Sequence, residues 1–309
     1  MASHVIHHLL GDFLGTGDEE AVLDTARERS ILTNADKALL GATAVAGYVI
    51  ARMVFSAVGV MPIPGVSGAL LVGGAGSTAI GLLTVAVVFV GVTLLARPIV
   101  KRVRTDAPVF CAAVALLALP THGGDLRNVL LDAGGQGVFL TLAVELLLLT
   151  IVVAIAYVAA GVSRVSVPQL DAADTAGSPP VIEDGDLDTA TDRLAAVAIQ
   201  TIVTLGLLSL LGQSPVKGQA LLGVALAGGL AGWMTYKARR VRGSAYYVAG
   251  TLLAGVVAFV WTRFAPDGTA IAEAKGALAG AARSLPLHYA TAGVAGTLYG
   301  YWAGRSGTN

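Results

Sequence analysis

Two ionisable residues, Arg52 and Glu145, stand deep inside long apolar runs of the sequence, and chemistry is to be sought there first. A charge at the centre of hydrocarbon costs from about 2.5 to well over 10 kcal/mol, so a residue of that kind is a functional candidate by default. Arg52 is the fifteenth residue of a run that starts at Ala38, roughly 21 Å along a helix at about 1.5 Å per residue. Glu145 precedes Gly161 by sixteen residues, roughly 24 Å from that end. Equal depth in oppositely directed runs predicts an Arg52–Glu145 ion pair, structural or part of a transport or proton-relay path. The plainer arrangement is an Arg52 that snorkels outward and a protonated Glu145.

Other polar residues are candidates of a second rank. Aligning the ends of two apolar runs on Gly161 and Gly304 places His288 opposite Glu145, and histidine is the side chain that titrates near neutrality. Its place just after Pro286 also suits a plain hydrogen bond at the end of a helix. Gln200, Thr201 and Thr204 share one run and suit a cavity lining or hydrogen bonds between helices. His4, His7 and His8 have helical spacing for a metal, but no carboxylate accompanies them, so solvated histidines are expected and no metal or cofactor is. There is no P-loop, no GxSxG, no HExxH and no cysteine pair. An enzyme would have only His122, Asp125 and Arg127 to work with, in one polar loop.

The elements that must position these residues are set by composition. Hydrophobic residues make up 55% and charged residues 13% of 309, against about 45–50% and about 25% in soluble domains. Mean hydropathy is +0.74. The fold class expected is therefore all-α, a polytopic membrane bundle whose first partner is the lipid bilayer. Thirty-nine glycines and seven phenylalanines point to helices packed through small residues. A net charge of zero gives no reason to expect nucleic acid as a partner. Cys111, the one cysteine, is expected to be a small core residue.

Along the chain, residues 1–36 form a polar cytoplasmic segment with an amphipathic helix from Asp18 to Leu32, and no signal peptide is legible. Residues 37–164 hold four spans: Ala38–Val60, with Asn34 and Asp36 as cap candidates, then Ser77–Ala96, a short one from Ala107 to Pro120, and Val138–Gly161. A short interfacial helix capped by Asp125 is expected before the fourth. Residues 165–192, with seven acids, read as a flexible cytoplasmic linker. Residues 193–305 hold Leu194–Leu211, Ala220–Tyr236, Ala245–Trp261 and Pro286–Gly304, and 306–309 are a tail.

The two sets of four correspond. Asp36-Lys37 answers Asp192-Arg193, and the basic elbow at Lys101–Arg104 answers that at Arg239–Arg242. Eight spans with cytoplasmic termini put fourteen of the twenty Lys and Arg inside and five outside, leaving Arg52 in the membrane. Four-span halves enter the membrane alike, which predicts parallel repeats in the inner (cytoplasmic) membrane. Gly296, Gly300 and Gly304, and Gly228 with Gly232, form lines of close helix approach. Tyr299, Tyr301, Trp302, Trp261 and Tyr289 are expected in interfacial belts. The function expected is a small-solute or ion transporter or channel with its path between the repeats. The alternatives are a structural or assembly subunit of a larger membrane complex, or of a homo-oligomer, and a membrane-embedded lipid-modifying enzyme.

Overall fold

A computed structural model of the chain describes residues 32–59, 69–71, 78–122, 126–133, 137–162, 189–212, 217–264 and 278–306. The expected helix from Asp18, the histidines His4, His7 and His8, Asp125 and nearly all of the acidic linker lie outside the described residues. The described residues are helices and turns, with no strand among them. In chain order the helices are α1 (Asn34–Val58), α2 (Thr78–Val100), α3 (Ala107–Leu116), α4 (Leu126–Ala133), α5 (Gly137–Ala160), α6 (Ala190–Leu211), α7 (Lys217–Arg239) and α8 (Ser244–Arg263). A 3₁₀ turn at Gly280–Arg283 leads to α9, which opens over Pro286–His288, widens into a π turn at Tyr289–Gly293 and continues over Val294–Ser306.

Five helices, α1, α2, α5, α6 and α8, are long and apolar enough to cross a membrane. The other three expected spans differ for local reasons. α3 has only ten residues and nearly all of them are buried, so other helices surround it. α7 has 23 residues but is rich in glycine, which lowers its hydropathy. α9 carries the π turn, which breaks the regular ladder of a straight span.

Helix starts follow local rules. Thr33, rather than Asn34 or Asp36, caps α1: its Oγ1 accepts the Asp36 N–H at 3.1 Å while Asp36 Oδ2 accepts the Thr33 N–H at 3.1 Å. Asp36 is thus the third residue of a capping box and not the cap itself. Thr189 caps α6 in the same way, accepting the Asp192 N–H at 3.1 Å. At its far end α1 stops on Gly59, whose φ of 72° is left-handed and lets its N–H reach back to Phe55 and Ser56.

Apolar residues three and four apart then choose the faces. α1 buries Leu40, Ala44, Gly47, Ala51 and Phe55, and turns Val45, Val49, Ile50 and Met53 outward. α1 packs on α2 and α3, and α2 packs on α3 and α5. In the second half α6 packs on α7 and α8, and α7 on α9. The halves cross over: α5 packs on α8 and the opening of α9, and α3 packs on the end of α9.

The crossing gathers both basic elbows at one end. Trp302 Nε1, near the end of α9, donates to Asp106 Oδ1 at 3.0 Å and Oδ2 at 3.1 Å, just before α3. Tyr157 near the end of α5 meets Ser244 Oγ, where α8 starts, at 3.3 Å. The Gly243 N–H donates to Tyr301 Oη at 3.4 Å, and Arg239 pairs with Asp192 at 3.8 Å. Of the aromatics expected in interfacial belts, Trp261 and Tyr299 are exposed, at 76% and 64%. Tyr289, Tyr301 and Trp302 are buried, because they lie on the side of α9 that faces the bundle, where their polar atoms find partners.

Candidate functional site

Glu145 is the ninth residue of α5, too far along for its carboxylate to reach the free N–H groups at the helix start. It is fully buried, and the neighbouring buried residues of its own helix, Leu142, Leu146 and Leu149, offer it nothing polar. Its partner comes from outside the helices. The Leu71 N–H, in the short segment 69–71 between α1 and α2, donates to Glu145 Oε2 at 3.0 Å, and the Leu70 amide is a second backbone neighbour. The segment lies inward, with Ala69 buried and Leu70 and Leu71 half-buried. Backbone N–H groups away from water require acceptors. Glu145 and the segment therefore satisfy each other in part. Glu145 Oε1 has no hydrogen-bond partner.

The expected Arg52–Glu145 pair is not formed. Arg52 is exposed on α1, and α1 packs on α2 and α3 while Glu145 sits on α5. Equal depth placed the two residues at one level but on helices that do not adjoin. A long arginine stem can follow an apolar surface toward a polar boundary, and the outward placement of Arg52 fits that use.

His288 is buried, and its Nδ1 accepts the Leu285 N–H at 3.2 Å. The third residue of α9 thus reaches back to the residue that precedes it, a local cap. The opening of α9 packs against α5, so His288 and Glu145 lie on adjoining elements without a hydrogen bond between them.

Gln200 stands at the centre of the second half. Its Nε2 donates to Thr251 Oγ1 of α8 at 2.9 Å, to the Gly228 carbonyl of α7 at 3.4 Å and to Thr204 Oγ1 at 3.5 Å. Thr251 in turn meets Thr297 of α9 at 2.8 Å, and Thr201 donates to the Gly250 carbonyl at 3.1 Å. The Gln200 amide and Thr251 together link all four helices of this half. Gln200 Oε1 is without a partner.

Comparison with known protein families, with curated proteins and with solved structures finds no match to this chain.

The glycine lines lie between α7 and α9. A Cβ on Gly228 would meet Thr297 Oγ1 at 2.7 Å, one on Gly232 the Thr297 carbonyl at 2.8 Å and one on Gly304 the Tyr236 ring at 3.1 Å. On Gly296 and Gly300 it would collide with the carbonyls of Ala225 and Gly229. Backbone meets backbone along this contact, as small residues allow.

Of the loop residues considered for an enzyme, His122 and Arg127 are described and Asp125 is not. His122 Nδ1 lies 3.0 Å from the Ala118 carbonyl and 3.2 Å from Thr121 Oγ1, while Arg127 is exposed. Among the described residues no group of three His, Cys, Asp or Glu side chains is placed to hold a metal ion. Cys111 is buried, with the Leu40 carbonyl 3.9 Å from its sulfur.

The sequence does not single out Asp106 or the segment 69–71, and it gives Arg104, part of the basic elbow, no place beside Trp302. Asp106 shares the two-oxygen bond to Trp302, and the Arg104 guanidinium lies 5.7 Å from the centre of the same indole. An Asp placed directly before Ala107-Pro108 is a helix-start signal that marks the spot. For the segment, the signal is an apolar stretch from Ala69 to Val72 between glycines.

Proposed function

We propose that this is an integral membrane protein that moves a small solute or ion along a path between two parallel four-helix repeats. The outward faces of α1, α2, α5 and α6 carry exposed Met53, Leu83, Val87, Ile151 and Leu194, side chains that water disfavours and lipid tails accept. Two further features support repetition. Both halves begin on a Thr-capped helix with Asp three residues later. The last helix of each half reaches the start of the third span of the other, through Trp302 to Asp106 and through Tyr157 to Ser244. On this reading α3 and α7 cross the bilayer within the bundle, and the basic end faces the cytosol.

The observation that carries the transport reading is Glu145. It is a fully buried carboxylate with an unpartnered oxygen, on the helix that joins the first half to α8 of the second. Accepting the Leu71 N–H occupies Oε2 alone, so the second oxygen has no structural task, and leaving a buried polar atom without a partner costs about 1–3 kcal/mol. The test is electrical and isotopic flux through proteoliposomes, across a panel of inorganic ions and small organic solutes. At least one member of the panel should move, and Glu145→Gln should slow it at least about tenfold while the protein stays monodisperse. Equal flux in the two proteins removes the reading.

One observation favours the subunit role. Gly41 on α1 and Gly206 on α6 have open space where a Cβ would stand, beside outward residues that another helix would cover. A partner copurifying in fixed ratio, with no flux in the assembled complex, is the result that role expects.

A further inference from the structure

We infer that Glu145 is a proton-binding site, with the proton held on Oε1 while Oε2 serves as the acceptor for Leu71. The inference deepens the transport reading and rests on it only for the claim that the bound proton is coupled to flux.

The argument begins with what the carboxylate lacks. It makes no ion pair: Arg52 is exposed on a helix that does not pack on α5. Nor does any titratable group on the adjoining elements bond to it. Arg97 of α2 reaches the Ala159 carbonyl at 3.2 Å, fourteen residues further along α5. Tyr246 and Tyr247 start α8 near Tyr157, at that same far end, and Arg263 ends α8 half-buried. At the opening of α9, His288 Nδ1 accepts from Leu285, and Tyr289 donates to the Ala281 carbonyl at 2.6 Å. Cys111 of α3 faces the Leu40 carbonyl.

What the site offers selects the ligand. A metal cation needs several oxygen donors around it, about six for most hard ions. Glu145 is instead approached by the Leu71 N–H at Oε2, with the Leu70 amide a second backbone neighbour of the carboxylate, and both carry positive partial charge that repels a cation. A proton requires only one oxygen, and Oε1 is the one without a partner. The neutral acid keeps Oε2 as a carbonyl acceptor for the Leu71 N–H, so the contact with the segment survives protonation. When the proton leaves, the charge falls on a carboxylate that the Leu71 N–H reaches at Oε2 alone, beside the buried Leu142, Leu146 and Leu149 of its own helix.

Infrared difference spectroscopy of the whole protein in liposomes, titrated across pH, tests the site. Expected is the carbonyl band of a protonated carboxylic acid that moves on hydrogen–deuterium exchange, declines as pH is raised and is missing from Glu145→Gln. If that variant does not assemble, Glu145→Asp carries the assignment by shifting the band. Carboxylate bands alone over the whole range overturn the inference, and so does an acid band that neither exchanges nor titrates. Coupling is read in vesicles with an entrapped pH dye, where wild-type flux should carry protons and Glu145→Gln should lose proton movement at least tenfold. If solute moves without protons, the coupling falls and transport stands. If the band titrates while nothing moves, transport falls and the proton site stands.

Discussion

A carboxylate inside an apolar helix has three ways to lower its energy: a cation, hydrogen-bond donors, or a proton. At Glu145 the cation is absent and the donor at hydrogen-bond distance is the Leu71 amide, which reaches one oxygen. Asp106 shows a different solution, since it is buried at the bundle end and both of its oxygens accept from the Trp302 indole. Hydrogen bonds to charged groups contribute about 1.5–3 kcal/mol. Trp302→Phe keeps most of the ring and removes the donor, so unfolding in detergent should lose about 2 kcal/mol, read from denaturant midpoints. The variant should also loosen the closed elbow, seen as faster proteolysis near Arg102. Unchanged midpoints would show that the indole N–H is not needed there. Only part of this was legible beforehand. That Glu145 is buried in an apolar helix follows from its neighbours in sequence; that Leu71 rather than Arg52 is its partner does not, because equal depth says nothing of which helices adjoin.

Between elements, the closest approach is α7 on α9, where glycine replaces any side chain that would hold the backbones apart. Overpacking costs about 1–3 kcal/mol where neighbours can shift and more where the obstacle is backbone. Gly300→Ala, directed at the Gly229 carbonyl, should therefore destabilise the protein by about 3 kcal/mol or prevent its assembly. Gly41→Ala, with open space around its Cβ, should be neutral or stabilise by up to about 1 kcal/mol through helix propensity. Thermal melts of the two purified variants make the comparison, and equal effects would mean that the α7–α9 contact does not depend on glycine. Spacing in the sequence was enough to pick out these glycines. Their partners were not legible, because a line of small residues states that a helix can come close without stating which helix comes. The π turn at Tyr289–Gly293 was likewise invisible, since it is a choice of hydrogen-bond register made where Gly293 meets Val224 and Thr251.

For the whole molecule the decisive arrangement is the gathering of both basic elbows at one end, held by Trp302 with Asp106, Tyr157 with Ser244, and Tyr301 with Gly243. If that end faces the cytosol, single cysteines placed at Arg102 and Arg240 in a Cys111→Ala background should react with an impermeant maleimide from the same side. A cysteine at Phe264, exposed at the opposite end of α8, should react from the other. Labelling of positions 102 and 240 from opposite sides would undo both the topology and the proposed repeat. Arginine-rich elbows spaced between apolar runs had already suggested this grouping, and the bundle contacts supply its mechanical basis.

By itself the sequence determined that this is a chain of apolar helices, where most of them begin and end, and which residues have no ordinary reason to be inside. Those properties follow from hydropathy and capping, and each depends on residues within a turn or two of one another. Only the tertiary structure decided the partners: Leu71 for Glu145 across 74 residues and Asp106 for Trp302 across 196. Apolar faces made largely of Leu, Val, Ala and Gly are nearly interchangeable to a neighbouring helix. The choice among them is therefore made by the packing of the whole bundle, where one polar bond or one missing Cβ tips the balance.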